Sequence, residues 1–478
     1  MCSKVSRFSS LVRVSPDRLV VGLIALECLL LVSSWLGWPR WQKGYAVLGA
    51  VTSVFVFALI MLLWLAFALV FRRRFQFQFG LISMLSLTVA VAVPCSWVTV
   101  ETRRAKRQRD AVCWINKSVD ATWTGSEREG VTYDYDQSSS ASSPAAPKGP
   151  VRLRALLGDD FFNDVVGATL YSDANIERMK GLPRLQVLSL DGPQVTDAGM
   201  AHVAALTQLR RFSYGNLRTR DAELPRFFGL ITDPPEWPLG PNVTDAGMAN
   251  LACLSQLEEL WLNNPRVTDA GLAHLSGLTR LRVLWLEHTR ATDGGLAHIA
   301  GLTELERLSL DSPGITDAGL AHIAGLTNLK VLWLSGTQVT DAGLGRLAAL
   351  TQLEELMLVD TKVTGAGLAS LAARSRLWRL SLDRSPVTNA GLANIAALTQ
   401  LRELSLGTNN VTDAGLAHIA AMADLRALTL DGTQVTDAGL AHIAGLTKLE
   451  VLGLNETQVT DAGVAKLQHA LPTCRIVR

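Results

Sequence analysis

Six of the eight histidines occupy one position of a regularly repeating sequence pattern, and they are the first candidates for chemistry. Histidine serves both as a metal ligand and as a proton-transfer group. A metal site needs its ligands within about 2 Å of one ion, whereas side chains on helices packed about 8–10 Å apart run in parallel. We therefore predict a structural role near helix C-termini, where histidine stabilises free carbonyls and the helix dipole. The six residues are His202, His274, His298, His322, His418 and His442.

No enzyme motif accompanies these histidines. The sequence has no Walker loop, no GxSxG elbow, no HExxH and no kinase catalytic set. Its six cysteines are dispersed without a CxxC pair, which indicates neither a disulfide framework nor a zinc cluster. An aspartate recurs as the second residue of the motif Thr-Asp-Ala-Gly-(Leu/Met), and we predict that it caps a helix rather than acting as an acid. The sequence thus predicts no catalytic residues, no cofactor and no metal.

A column of outward-facing side chains is the stronger candidate for a site. Each repeat carries a Leu-x-Leu segment, and on a strand the middle residue points away from the two leucines. Down the array this position is small and polar except at the centre, which holds Trp261, Trp285, Trp333 and Met357. Three exposed tryptophans offer on the order of 10 kcal/mol of gross apolar burial, part of which association consumes. We hypothesise that this stripe docks a protein or glycan partner.

Acidic residues around the stripe favour a partner with basic surface. They are Glu259, Glu287, Asp311, Glu355 and Asp383. Two structural alternatives stand beside docking. The tryptophans stack on one another as a stabilising ladder, or the proline-rich segment 220–242, which carries Trp237, folds over them. For the whole protein, the alternative to an interaction module is a structural or envelope role without a discrete ligand.

Internal repeats are the elements that position these residues. The motif recurs at a constant interval, from Thr244 and Thr268 onward to Thr460, with an earlier copy at Thr196 and a degenerate one at Ser172. Each unit exposes leucines that only the next unit can bury. We predict an α/β solenoid over 151–478, with a parallel sheet on the concave face and short helices on the convex face. Residues 151–162 are expected to form a capping helix, and 471–478 a last strand. The irregular segment near 215–242 is either a loop insertion or two decayed repeats.

The unit Leu326–Leu344 reads LTNLKVLWLSGTQVTDAGL and resembles a leucine-rich repeat. Residues 172–478 look like a bacterial leucine-rich-repeat protein of the ribonuclease-inhibitor-like superfamily. The TDAGL segments resemble those of F-box proteins, but the part of the chain before the repeats offers membrane spans instead of a recruiting domain. The segment 77–97 is similar to anchors of other membrane-tethered bacterial repeat proteins. The resemblance implies a non-enzymatic protein–protein interaction module.

The N-terminal segment 1–100 predicts a membrane anchor. The apolar stretches 19–38, 45–71 and 79–100 each reach the length of about 20 residues that a spanning helix needs. The bilayer is therefore a predicted partner, and we expect a multi-pass protein of the bacterial cell membrane. Residues 101–150 are basic at first and then rich in serine and proline, which is typical of a flexible linker.

The charge is divided along the chain. Residues 1–110 carry a net charge of +10 and the remainder −8, and an acidic body argues against nucleic-acid binding. Lysines and arginines on the two sides of the predicted spans tie at seven each, so both orientations stay open. The first span favours an extracytoplasmic repeat domain, whereas the basic run 103–109 favours the opposite side.

Overall fold

A computed structural model describes much of the chain from residue 99 onward. The three predicted spans lie outside the described residues, apart from the last few positions of the third, and so do the predicted capping helix and the segment 216–241. Among the described residues, no helix combines the length and the apolar character needed to cross a bilayer. The described residues are 96, 99–113, 130–133, 164–182, 184–215, 242–371 and 376–478.

The chain divides into two compact units, of which the first comprises residues 1–126 and 131–166. Within it, residues 99–113 form a helix that occupies the start of the predicted flexible linker. The Arg104 guanidinium lies 2.8 Å from the Asp164 carboxylate, and the Val165 N–H donates to the Gln108 side chain at 3.3 Å. Ala105 and Ala111 are buried. These contacts favour the helix over 101–113, and the flexibility of the linker stays a prediction.

The second unit, residues 127–130 and 167–478, contains the repeats. Its strands pair in chain order from β2 to β14, and every pairing is parallel. The strands of the described chain, in both units, are β1 Gly130–Tyr133, β2 Val165–Ser172, β3 Val187–Gln194, β4 Arg211–Tyr214, β5 Glu259–Asn263, β6 Val283–Glu287, β7 Arg307–Leu310, β8 Val331–Trp333, β9 Glu355–Met357, β10 Arg379–Ser381, β11 Glu403–Ser405, β12 Ala427–Thr429, β13 Val451–Gly453 and β14 Arg475–Val477.

A short helix follows most strands and packs against the helix of the next repeat. The α-helices are Asp173–Arg178, Asp197–Val203, Asp245–Met248, Asp269–Ala273, Asp293–Ile299, Asp317–Ile323, Asp341–Leu347, Asn389–Ile395, Asp413–Ile419, Asp437–Ile443 and Asp461–Ala470. The 3-10 helices are Met179–Gly181, Ala249–Cys253 and Ala366–Leu371. The predicted last strand is confirmed by β14, and the predicted parallel sheet with short helices is confirmed by the pairing order.

The core is a stack of leucines. In one repeat Leu329, Leu332, Leu334, Val339 and Leu344 are all fully buried, as the sequence predicts. The Thr337 hydroxyl donates to the Leu334 carbonyl at 2.7 Å and closes the turn after the strand. Each repeat thus depends on its neighbours for burial, which makes stability a sum of repeat and interface contributions.

The Thr-Asp-Ala-Gly motif joins neighbouring helices. Thr340 caps its own helix by accepting from the Ala342 N–H at 3.2 Å. The Asp317 carboxylate accepts from both the N–H and the hydroxyl of Thr340 in the next repeat, at 2.8 and 2.6 Å. The predicted capping role of the aspartate is therefore wrong, because its side chain reaches the following repeat. We call this two-bond link the Asp–Thr staple.

The motif's glycine makes room for the staple. A Cβ added to Gly319 would meet the Asp293 Oδ1 atom well inside van der Waals contact, with Leu296 Cδ1 at 2.9 Å. Asp293 is the aspartate that bonds Thr316. Threonine, aspartate and glycine of the motif thus have three separate roles: helix cap, bridge to the next repeat, and space for the preceding carboxylate.

Two repeats modify the staple. Asn389 replaces aspartate, and its amide donates to the Thr412 hydroxyl at 2.9 Å, so that Thr412 makes no side-chain cap bond. In the preceding repeat the aspartate position is Gly365, which has a φ of +96°. There the Thr364 carbonyl accepts from the Thr388 N–H at 3.2 Å. The junction between these repeats therefore keeps one backbone bond in place of the staple.

The double-length interval is an insertion within one repeat. Strand β4 pairs directly with β5, which places Ser213 beside Trp261. On the helix side Asp197 bonds the Thr244 N–H at 2.7 Å, as in an ordinary pair of neighbours. The repeats that flank the segment 216–241 are therefore direct neighbours in the stack, and the segment itself lies outside the described residues.

Candidate functional site

The candidate site lies on the open sheet face, which we define as the side of the sheet opposite the core leucines. Its central column follows the strand register from Ser189 to Gly453, as the sequence predicts. Trp261 and Trp285 lie opposite each other on β5 and β6. Trp333 is two strands further on, with Ser309 between.

The three tryptophans form a continuous stack, which we call the tryptophan ladder. The ring centroids of Trp261 and Trp285 are 4.3 Å apart with an interplanar angle of 26°. Trp285 and Trp333 lie 4.5 Å apart at 58°, although two strand spacings amount to about 9–10 Å. The indoles lean towards each other over Ser309, because that small side chain leaves the space between them.

Stacking changes how much apolar surface the column offers. Trp285 is 2% exposed and Met357 8%, whereas Trp261 and Trp333 are partly exposed. The expectation of three exposed tryptophans is therefore wrong for Trp285, because the rings on both sides cover it, and Met357 is buried as well. The stacked ladder that the sequence left as an alternative is present, and its partly exposed members are the two end residues, Trp261 and Trp333. A partner-binding role for these residues stays a prediction.

The flanking acids fall into two columns. Glu259 and Glu355 stand two residues before the ladder column, where arginines accompany them. Glu259 lies 3.0 Å from the Arg211 guanidinium. The Arg379 guanidinium, with its side chain 5% exposed, lies 3.4 Å from Glu355 and 3.2 Å from Glu403. Burial raises the pKa of the Glu403 carboxyl above its usual value. These glutamates are therefore largely engaged with arginines of the same sheet.

Glu287 and Asp311 belong to the other column, two residues after the ladder position. Asp383 and two acidic residues that the sequence analysis did not name, Asp191 and Asp431, stand at the same position of other repeats, and we call the whole set the acidic column. Its members are Asp191, Glu287, Asp311, Asp383 and Asp431. Reading the third strand position at the same period would have found Asp191 and Asp431. The contact between Glu355 and Arg379 could also have been predicted from the sequence, because negative and positive charge alternate at one position of successive repeats, from Glu355 through Arg379 to Glu403.

The histidine column takes no part in this face. Five of the six histidines lie in the last turn of a helix, and His274 is a helix C-cap residue, so their predicted position is confirmed. Among the residues that the structure describes, no group of three histidine, cysteine or acidic side chains could hold a metal ion.

Comparison with known proteins bears on the fold. Residues 397–420 match a family model described as Leucine Rich repeat. No match was found among curated proteins. One similar solved structure is an internalin (inlF) from Listeria monocytogenes strain 4b F2365, with 21% identity, 68% of this chain and 92% of that chain covered, and a TM-score of 0.47. Another is internalin C2 of the same strain, with 26% identity, 45% and 84% covered, and a TM-score of 0.29.

The matched segment is one period of the array. Residues 397–420 span β11 and the helix Asp413–Ile419, and the neighbouring repeats have the same strand, turn and helix at regular intervals. Solenoids of this kind offer an extended face to partners. One period of the array, residues 397–420, thus matches a leucine-rich repeat, and the array itself is a solenoid of parallel strands and short helices.

Proposed function

We propose that the protein is a non-enzymatic interaction module that docks a protein partner on the concave, open sheet face of its solenoid. The observation that carries the proposal is the tryptophan ladder, whose partly exposed ends interrupt a column of small polar residues. Tryptophan is the residue type most enriched at binding hot spots. Rigid stacked rings also lose little conformational entropy on binding.

Unpaired donors in the ladder support the same function. The indole N–H groups of Trp285 and Trp333 are buried and have no hydrogen-bond partner within the described chain. A buried donor left without an acceptor costs about 1–3 kcal/mol. Because the Trp333 N–H is itself shielded from solvent, a carbonyl oxygen of a partner would reach it only if this ring, the more exposed of the two, turned outward.

We further propose that the apolar stretches 19–38, 45–71 and 79–100 form three helices that tether the solenoid to a bacterial cell membrane, since each is long enough to span a bilayer. The four basic residues before the first span keep the N-terminus in the cytoplasm. Three spans then place the solenoid on the extracytoplasmic side. A compartment-specific reporter fused after Arg478 should be active outside the membrane, and activity only in the cytoplasm would overturn this side.

Docking is tested by the double variant Trp261→Ser/Trp333→Ser in the full-length chain. We expect binding of a partner captured with the wild-type chain to weaken by at least about tenfold, because both exposed ends of the ladder are lost. Affinity is measured by titration of the purified partner, and thermal unfolding is recorded in parallel. The matched control is Trp378→Ser, which removes a partly exposed tryptophan outside the ladder.

The outcomes separate the alternatives. Weakened binding by the ladder variant alone, at a similar melting temperature, supports docking. Equal affinity of the ladder variant and wild type would overturn it and leave the ladder as a purely structural feature.

A further inference from the structure

Helix 99–113, in the first unit, has one covered side and one exposed side. The residues of the covered side are spaced by three, four or seven positions, as one side of a helix requires. The Gln108 side chain accepts from the Val165 N–H, and this contact helps to fix which side of the helix faces outward. The covered residues are Ala105, Gln108, Ala111 and Val112, which are between 2% and 8% exposed.

Three bases lie together on the exposed side, and we call Arg103, Lys106 and Arg107 the basic face. Residues three and four positions apart are neighbours on a helix surface, so the three side chains adjoin one another. Asp110 follows on the same side, and three positive charges with one negative charge leave a net charge of +2. Within the part of the chain that the structure describes, none of the three bases makes an ion pair.

Arg104 shows how the unit treats a base that is not on the exposed side. Its guanidinium lies 2.8 Å from the Asp164 carboxylate and 3.7 Å from that of Glu101, and its side chain is only 18% exposed. The described residues thus provide acids for Arg104 and none for the basic face. A charged face without an internal counter-charge attracts anions from outside the protein.

An exposed apolar side chain adjoins the basic face. Val100 is 60% exposed, and no other large apolar side chain of the described residues is exposed. It stands three positions before Arg103 and seven before Arg107, which places it on the same side of the helix. Apolar and basic residues on one helix surface are typical of helices that lie at the headgroup level of a bilayer. The apolar side chain then enters the acyl boundary while the cations contact phosphates.

We propose that the basic face and Val100 bind the headgroup layer of an anionic phospholipid membrane. The helix begins where the apolar stretch 79–100 ends, so the tether proposed above would bring it to the bilayer surface. The inference thus builds on the proposed tether and adds the class of lipid. Clusters of lysine and arginine beside a span prefer anionic lipids, because the negative surface potential attracts each cation.

Lys106 itself serves as the reporter. The full-length chain is reconstituted into vesicles of phosphatidylcholine alone or with phosphatidylglycerol in both leaflets, and mass spectrometry measures how fast acetic anhydride acetylates Lys106. We expect acetylation to be at least about threefold slower in the anionic vesicles and to recover at high salt, because phosphates shield the ammonium group. Lys466 is the matched control, since it is an exposed helical lysine of the repeats, and its rate should not change.

Two charge-matched variants separate binding from mere proximity to the bilayer. Arg103→Gln/Arg107→Gln removes two cations of the basic face and keeps the reporter. Arg290→Gln/Arg346→Gln removes the same charge from exposed positions of the repeats. For each protein, the Lys106 rate in neutral vesicles is divided by the rate in anionic vesicles. We expect this ratio to fall below about 1.5 in the first variant and to keep its wild-type value in the second.

Slowing that is confined to Lys106 and lost only in the basic-face variant supports the inference. Four results would overturn it. They are equal Lys106 rates in the two kinds of vesicle, equal slowing of Lys466, equal slowing in both variants, and the same slowing when inorganic phosphate or duplex DNA is added to neutral vesicles. The last result would assign the basic face to a soluble anion instead of a membrane surface.

Extraction of the vesicles at high pH tests the tether separately, because spanning helices stay in the bilayer whereas surface-bound proteins leave it. A chain that resists extraction but has equal Lys106 rates keeps the tether and loses this inference. A chain that is extracted, yet shows the slowing at Lys106 beforehand, keeps headgroup binding and loses the tether.

Discussion

Replacing Trp285 with serine should lower the free energy of unfolding by about 3–4 kcal/mol. The side chain is 2% exposed and stacks on Trp261 and Trp333, with ring centroids 4.3 and 4.5 Å away. Its removal separates the two outer rings and leaves a gap that short side chains such as Ser309 cannot fill. Denaturant unfolding of the full-length chain, followed by circular dichroism, measures the loss.

Two controls define the cause. Trp285→Phe keeps an aromatic ring in the stack and should lose less than half as much, about 1–2 kcal/mol. Trp378→Ser deletes a tryptophan outside the ladder and should cost less than about 1 kcal/mol. A Trp285→Ser protein as stable as Trp378→Ser would show that the ladder contributes little to stability.

The second large effect is expected at a glycine of the repeat motif. Gly319→Ala should destabilise the protein by about 3 kcal/mol, because the new methyl group displaces the Asp293 carboxylate. That displacement also breaks the bonds of 2.8 and 2.6 Å to Thr316, and bonds to a charged acceptor are worth more than neutral ones. The free energy of unfolding of the purified chain reports the change.

The staple makes this effect non-additive. Asp293→Ala alone loses both bonds, but once the carboxylate is absent, Gly319→Ala meets much less steric conflict. The double variant should therefore be more stable than the sum of the single variants predicts, by about 1–2 kcal/mol. Gly325→Ala is the control, since a Cβ there meets nothing within 4 Å and should change stability by less than about 0.5 kcal/mol. Strict additivity would contradict the three-part role of the motif.

The sequence predicted the solenoid because its signal is local and periodic. Leucines that recur at a constant interval specify the buried face, and the parallel register follows from stacking identical units. The central column could be read for the same reason, since the residue between two buried leucines must face outward. The position of Trp285 was therefore correct, although its exposure was not.

Features that depend on contacts between repeats were harder to predict. Nothing within one unit shows that Asp317 bonds the Thr340 of the following repeat rather than its own helix. The burial of Trp285 depends on Ser309 being small, which is a property of the neighbouring strand. Likewise, the sequence alone did not distinguish Glu355 from Asp311. The strand register does, because it places Glu355 beside Arg379 in the column two residues before the ladder position.

The missing staple at Gly365 has a mechanical consequence. On the helix side, the described residues of the junction between β9 and β10 share the backbone bond from Thr388 to Thr364 in place of the staple, while on the sheet side Glu355 still contacts Arg379. Because this junction lacks the two bonds of the staple, we expect the array to bend more easily there than at a stapled junction, with the paired strands acting as the pivot. Such flexing would alter the arc between Trp333 and Asp431, letting one scaffold fit partners of slightly different curvature.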